Sequence, residues 1–206
     1  MKFHKPKFWD YKKPNYLSYL LLLFTFPLII NNYLLGLRNK HTSYSDIKKI
    51  CVGNIYVGGT GKTPLVIKIY QILNQMGFKT AIIKKFYQDH IDEQKILGND
   101  RKLYCKKDRR TALKEAIKDN NNVAIFDDGL QDRLINYDLK FVCFNNIKWI
   151  GNGFLIPAGP LREKIMSISK YDVAFINGND FDNTSLKILI NKYNKNIKIF
   201  ESYYIP

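Results

Sequence analysis

Residues 47–57, rich in β-branched and apolar side chains, run into Gly58-Gly59-Thr60-Gly61-Lys62-Thr63, and an apolar-periodic segment follows to Gln75. A strand that feeds a glycine cluster and then a helix leaves few folds open. Glycines let consecutive N–H groups converge on one anion, and the helix N-terminus adds the positive end of its dipole. In that arrangement the backbone of Tyr56, Val57, Gly58, Gly59, Thr60, Gly61, Lys62 and Thr63 cradles the phosphates of a nucleotide. Lys62 reaches the β- and γ-phosphates, and the Thr63 hydroxyl binds Mg²⁺. The strict spacing asks for glycine where Tyr56 stands. A ligand-free glycine turn is the alternative, but the flanking strand and helix sit where a phosphate loop requires them.

The rest of the chain alternates in the same way. Strand patterns occur at 80–86, 123–126, 139–144, 173–176 and near 197–203, with helical patterns at 111–118 and near 186–193. The expected fold is α/β, P-loop NTPase-like, with a mainly parallel sheet and flanking helices. Residues 87–105 read as a long polar loop with room for a short helix, and 151–160 as a Gly/Pro-rich loop. Two regions are expected: a basic and apolar segment over 1–40, and an α/β domain over 41–206.

The net charge of +15, from 33 Lys+Arg against 18 Asp+Glu, favours anionic partners. The lysines are spread along the chain without a basic-aromatic nucleic-acid motif, so no nucleic-acid partner is expected. Cys51, Cys105 and Cys143 are far apart, and the apolar runs around Cys51 and Cys143 mark buried thiols of a reducing compartment. His4, His41 and His90 are equally scattered. No metal-ligand spacing exists, so the expected metal is Mg²⁺ held by carboxylates and phosphates.

The N-terminus differs in character. Lys2, Lys5, Lys7, Lys12 and Lys13 precede an apolar run from Leu17 to Ile30, interrupted by Pro27 and followed by Asn31 and Asn32. A secretory signal would need a small-residue cleavage site, which does not follow. A spanning helix needs about 20 apolar residues, more than this run holds unless Tyr33 to Leu37 are counted. A buried core helix would not need so basic an approach. A helix lying in the membrane interface fits best, with lysines at anionic headgroups, Trp9, Tyr11, Tyr16 and Tyr19 at the boundary, and leucines beneath.

Two further segments carry chemistry. Val123-Ala-Ile-Phe-Asp-Asp-Gly-Leu-Gln131 is a core strand whose C-terminal tip bears Asp127 and Asp128, at the edge where open α/β sheets bind ligands. Either aspartate would face the Mg²⁺ held by Thr63, although an Asp-Asp-Gly turn also occurs as plain turn chemistry. Gly151-Asn-Gly-Phe-Leu-Ile-Pro-Ala-Gly-Pro-Leu-Arg-Glu163 is stiffened by Pro157 and Pro160. It brings Arg162 near the start of a helix, where its planar fork could clamp a phosphate. An ordinary loop with a surface arginine is the competing reading.

Taken together and in this order, residues 52–64, 127–131 and 151–163 resemble the tetraacyldisaccharide 4'-kinase family of the lipid A pathway in Gram-negative bacteria. The basic-then-apolar N-terminus is similar to that family's membrane-associated helix. The resemblance implies a P-loop kinase at the cytoplasmic face of the inner membrane. It would move the γ-phosphate of ATP onto the 4'-hydroxyl of a tetraacylated glucosamine disaccharide 1-phosphate, an anionic glycolipid, to form lipid IVA. It also implies a base from a Gly-Asp-Glu motif, matched here by Ile91-Asp92-Glu93, so Asp92 becomes the base candidate beside Lys62 and Arg162. From the residues alone Asp92 is a solvated loop carboxylate.

The chain departs from the family pattern at several positions. A Ser-Arg-Gly-Tyr-Gly stretch is replaced by Lys84-Lys-Phe-Tyr-Gln88, and Asp132 stands where a histidine usually follows the Asp-Asp-Gly motif. The resemblance implies a further C-terminal section, with a histidine partnering the base, which would follow Pro206. Two rival classes remain. A GTPase or ATPase switch is suggested by Asn177-Gly-Asn-Asp180, and the nucleotide-binding half of a split, membrane-bound enzyme would account for the missing histidine.

Overall fold

A computed structural model of the chain describes residues 5–38, 46–88, 91–178 and 182–202. His4, His41 and His90, and the Asn179-Asp180 end of the guanine-like motif, lie outside the described residues. Seven strands are ordered β3-β2-β4-β1-β5-β6-β7 in one sheet. They are β1 (Lys48–Gly53), β2 (Thr80–Lys85), β3 (Leu103–Lys106), β4 (Val123–Asp127), β5 (Leu139–Asn145), β6 (Val173–Asn177) and β7 (Lys198–Ser202). The helices are α1 (Tyr16–Arg38), α2 (Lys62–Gln75), α3 (Ile91–Gly98), α4 (Arg109–Lys118) and α5 (Thr184–Tyr193). By contacts the chain divides into two compact units, one of residues 1–39, 54–60 and 142–206, the other of residues 40–53 and 61–141.

The second unit holds the parallel pairs β1–β4, β2–β4 and β2–β3. Strands covered on both faces read as unbroken apolar runs rather than alternating ones, and β2 and β4 are buried almost throughout. One face packs Cys51, Ala81, Ile83, Ala124 and Phe126 against Ala112, Leu113 and Ala116 of α4. On the other, α2 lies over β2 and β4 with Leu65 and Val66 buried. Asp108 caps α4 by accepting from the Arg110 N–H at 3.4 Å.

Two expectations for this unit change. The first strand ends at Gly53 rather than at 57, because Asn54–Tyr56 leave the ladder and are buried in other contacts. The stretch 87–105, read as a polar loop with room for a short helix, holds that helix as α3 and adds β3, an edge strand in parallel register with β2.

In the first unit, β6 and β7 pair in parallel, and α5 buries Leu186 and Ile190. Asn15 opens α1, its Oδ1 accepting from the Ser18 N–H at 2.9 Å. The helix then runs through Pro27 without a break. Its burial pattern is inverted for a core helix: Ser18 and Thr25 are buried, whereas Leu23 and Phe24 are 76% and 62% exposed. No helix among the described residues is long and apolar enough to cross a membrane.

Candidate nucleotide site

The second unit supplies the helix end and the acidic strand tip. Gly61 is the N-cap of α2, held in the left-handed region at φ 79°, and no side chain caps the first turn. A side chain at Gly61 would be strained, so glycine is required for the turn. Lys62 and Thr63 are the first two residues of a 14-residue helix whose positive end is left open to an anion. Pro64 follows where a missing N–H costs nothing.

The register sets Asp127 opposite Val52 on one side and Lys84 on the other. Asp127 is 1% exposed, and its Oδ2 accepts from the Lys84 ammonium. Its Oδ1 has no hydrogen-bond partner among the described residues. A buried carboxylate oxygen without a donor is costly to leave so, and it suits a cation. Mg²⁺ takes one or two carboxylates and completes its shell with water and phosphate oxygens. The donor set of Asp127, Asp128 and the Thr63 hydroxyl is of that kind. No group of three or more His, Cys, Asp or Glu able to hold a metal occurs among the described residues.

The sequence left the two aspartates equivalent; the structure separates them. Asp128 leaves the strand in the left-handed region at φ 58°, its N–H donating to Val52 O at 2.8 Å. Arg109, itself buried, fixes this turn by donating from Nη2 to Asp128 O at 2.7 Å, and it reaches Asp132 Oδ2 at 3.5 Å. Asp132 thus acts as a partner for Arg109. The Asp128 carboxylate, 30% exposed, pairs with Lys62 Nζ at 3.7 Å.

Lys84 is the residue that sequence reasoning missed. It is buried, and its Nζ also donates to Glu93 Oε2 at 2.9 Å. Burial alone would push its pKa down, but the charge and hydrogen bond of Asp127, joined by those of Glu93, outweigh that and hold it above the ordinary lysine value. Glu93 and Asp92 form the first turn of α3, with Asp92 exposed. Asp92 is therefore a helix residue rather than a loop carboxylate.

The first unit contains residues 54–60 of the glycine loop and the 151–163 segment. Asn54 staples the loop, its Nδ2 donating to Gly58 O at 3.2 Å and to Thr60 Oγ1 at 2.9 Å. The segment around Pro160 is zipped to the loop by an antiparallel bridge of Tyr56 with Leu161. The Val57 N–H donates to Pro160 O at 2.9 Å and the Arg162 N–H to Ile55 O at 2.8 Å.

One expectation is corrected here and two are sharpened. The Val57 amide is already engaged, which removes it from the phosphate cradle. Tyr56 turns its side chain into this unit, where its hydroxyl meets Lys5 and Asp10 and Lys5 Nζ lies 4.4 Å from the ring centroid. Only its backbone is left for a ligand. Arg162 lies in the bridged stretch, near the start of a 3₁₀ helix at Ile165–Lys170 as expected, rather than in an open loop. Gly58, at φ 146°, and Gly59, with nothing within 4 Å of where a Cβ would stand, keep the exposed part of the loop open.

A mainly parallel α/β sheet, a glycine-led uncapped helix after its first strand, and an aspartate at the tip of β4 define a P-loop nucleotide-binding fold. A family model described as tetraacyldisaccharide-1-P 4'-kinase matches residues 15–103 and 92–204. The chain belongs to that family. It is 51% identical, over 207 residues, to the tetraacyldisaccharide 4'-kinase of Pelagibacter ubique (strain HTCC1062), covering 100% of this chain and 65% of that protein. It is 31% identical over 202 residues to the enzyme of the same name from Vibrio campbellii (strain ATCC BAA-1116), covering 84% and 59%. The chain therefore spans less than two thirds of these relatives. Among solved structures, LpxK from Aquifex aeolicus in complex with ATP matches with a TM-score of 0.68 at 21% identity, over 90% of this chain and 64% of that one. At that identity the match speaks for the fold.

Proposed function

We propose that this chain is the nucleotide-binding part of an ATP-dependent kinase that phosphorylates the 4'-hydroxyl of tetraacyldisaccharide 1-phosphate. The names of its relatives supply the reaction, and one observation carries it to these residues. The uncapped start of α2 bears Lys62, paired with Asp128, and the preceding Asp127 has a buried oxygen that finds no donor among the described residues. Residues 58–63 hold the phosphates by backbone N–H groups, and Lys62 supplies a fixed charge to the phosphoryl group in transfer. Thr63, Asp127 and Asp128 would hold Mg²⁺, which when bound neutralises charge across the β- and γ-phosphates. Asp92 accepts the proton of the acceptor hydroxyl, and Arg162 clamps a phosphate.

The same reading places the chain at the cytoplasmic face of the bacterial inner membrane, with residues 1–40 as a membrane-interface segment and no nucleic-acid partner. The outward leucine and phenylalanine side chains of α1 and the basic residues before it support this. The test is transfer of label from γ-labelled ATP to tetraacyldisaccharide 1-phosphate in detergent micelles, with GTP as competitor. Labelled lipid with a preference for ATP is expected. Tighter binding of GTP would favour a switch protein, and ATP hydrolysis without labelled lipid would go against the kinase.

A further inference from the structure

Lys84 has no part in the nucleotide chemistry above, yet it is 5% exposed at the carboxyl end of β2. Burying an ammonium is costly unless acceptors meet it. A neutral residue would fill the position more cheaply if packing were the only requirement. Lys84 instead divides its donors between two elements: Asp127 Oδ2 on β4, and Glu93 Oε2 on α3 at 2.9 Å.

The division matters because α3 is short and poorly anchored. Leu97, in its C-terminal half, is its one buried side chain among the described residues, and Ile91 at its start is 51% exposed. Gln94 reaches back to Tyr87 O at 2.9 Å, which ties the helix to its own approach but not to the sheet. The Lys84–Glu93 bond joins the first turn of α3 to the strand tip that carries Asp127.

We propose that Lys84 is a positioning residue. It holds the first turn of α3, and with it Asp92, in register with the acidic tip of β4, while leaving Asp127 Oδ1 free for a cation. The catalytic consequence rests on the kinase reading; the anchoring of α3 does not. Misplacing a reacting group by about 1 Å can cost roughly a hundredfold in rate.

The test uses the full chain and two measurements. In hydrogen exchange, Glu93→Ala, which cuts the tie to α3 and leaves the buried Lys84–Asp127 pair in place, should speed the amides of residues 91–98 at least about tenfold while those of β2 and β4 keep their protection. Lys84→Arg, which keeps the charge and both acceptors, should leave α3 close to its wild-type protection. In lipid phosphorylation, Lys84→Ala and Glu93→Gln should each lower kcat at least tenfold, leave KM for ATP within about threefold, and combine with no further loss. Unchanged exchange in α3 would overturn the proposal whatever the lipid assay gives. So would multiplying losses in the double variant. A wild-type chain that labels no lipid would refute the kinase reading instead, and the exchange result would still decide the role of Lys84.

Discussion

Lys62 Nζ lies 3.7 Å from Asp128 Oδ1, an ion pair at the mouth of an uncapped helix. The distance is too long for a hydrogen bond, and both side chains retain solvent. Such pairs add at most about 1 kcal/mol. The lysine is therefore held near the anion position at little cost and is easily transferred to a phosphate. Lys62→Ala should leave Tm within a degree or two and lower ATP turnover by at least about a hundredfold. Unchanged turnover, measured with the Tm on the same preparation, would take Lys62 out of the mechanism.

Two glycines should respond in opposite ways. A Cβ at Gly129 would stand 2.7 Å from Tyr137 Oη and 3.1 Å from Cys51 Sγ, both in the packed core of the second unit. Gly129→Ala should cost about 1–3 kcal/mol in urea unfolding. At Gly59 a Cβ meets nothing. Gly59→Ala should unfold like wild type but bind ATP more weakly, because the methyl group narrows the cradle. Equal losses of stability in the two variants would contradict this account of the loop.

Asp138 provides a pH dependence. Its burial would raise its pKa, but the Lys49 N–H at 2.8 Å and the Lys49 ammonium at 3.1 Å outweigh that and hold it below the ordinary aspartate value. A depressed carboxylate stabilises the fold above its unfolded pKa, near 4, and loses that contribution as pH falls through its folded value. Asp138→Asn should lower Tm at pH 6, by an amount kept small by its 42% exposure, with the gap to wild type closing towards pH 3. A gap that widens on acidification would reverse the assignment.

The exposed apolar side of α1 predicts lipid binding. Leu23→Glu together with Phe24→Glu should reduce sedimentation with anionic vesicles several-fold and leave Tm unchanged, since neither side chain is packed. Full retention on vesicles would remove the interfacial role from this helix.

Much of this was legible because it is local. The strand, glycines, Lys62, Thr63 and the helix to Gln75 follow one another along the chain, and α2 has the expected bounds. Asp127 and Asp128 end a continuous apolar run, so their place at the strand tip was readable too. The features that escaped are set by distant partners. Lys84 looks like a solvated residue until the β2–β4 register brings Asp127 across from it. Tyr56 looks like a flaw in the phosphate pattern until Lys5 and Asp10 are seen to take its hydroxyl. β3 was missed, and α3 was foreseen only as room for a short helix, because a helix with one buried residue and a half-buried edge strand carry weak periodic signals.

The most direct measurement is the mass of tetraacyldisaccharide 1-phosphate after incubation with Mg-ATP and the purified chain, wild type beside Lys62→Ala. The account predicts a gain of one phosphate with wild type and none with the variant. Lipid of unchanged mass with wild type, under conditions where the chain binds ATP, would contradict it.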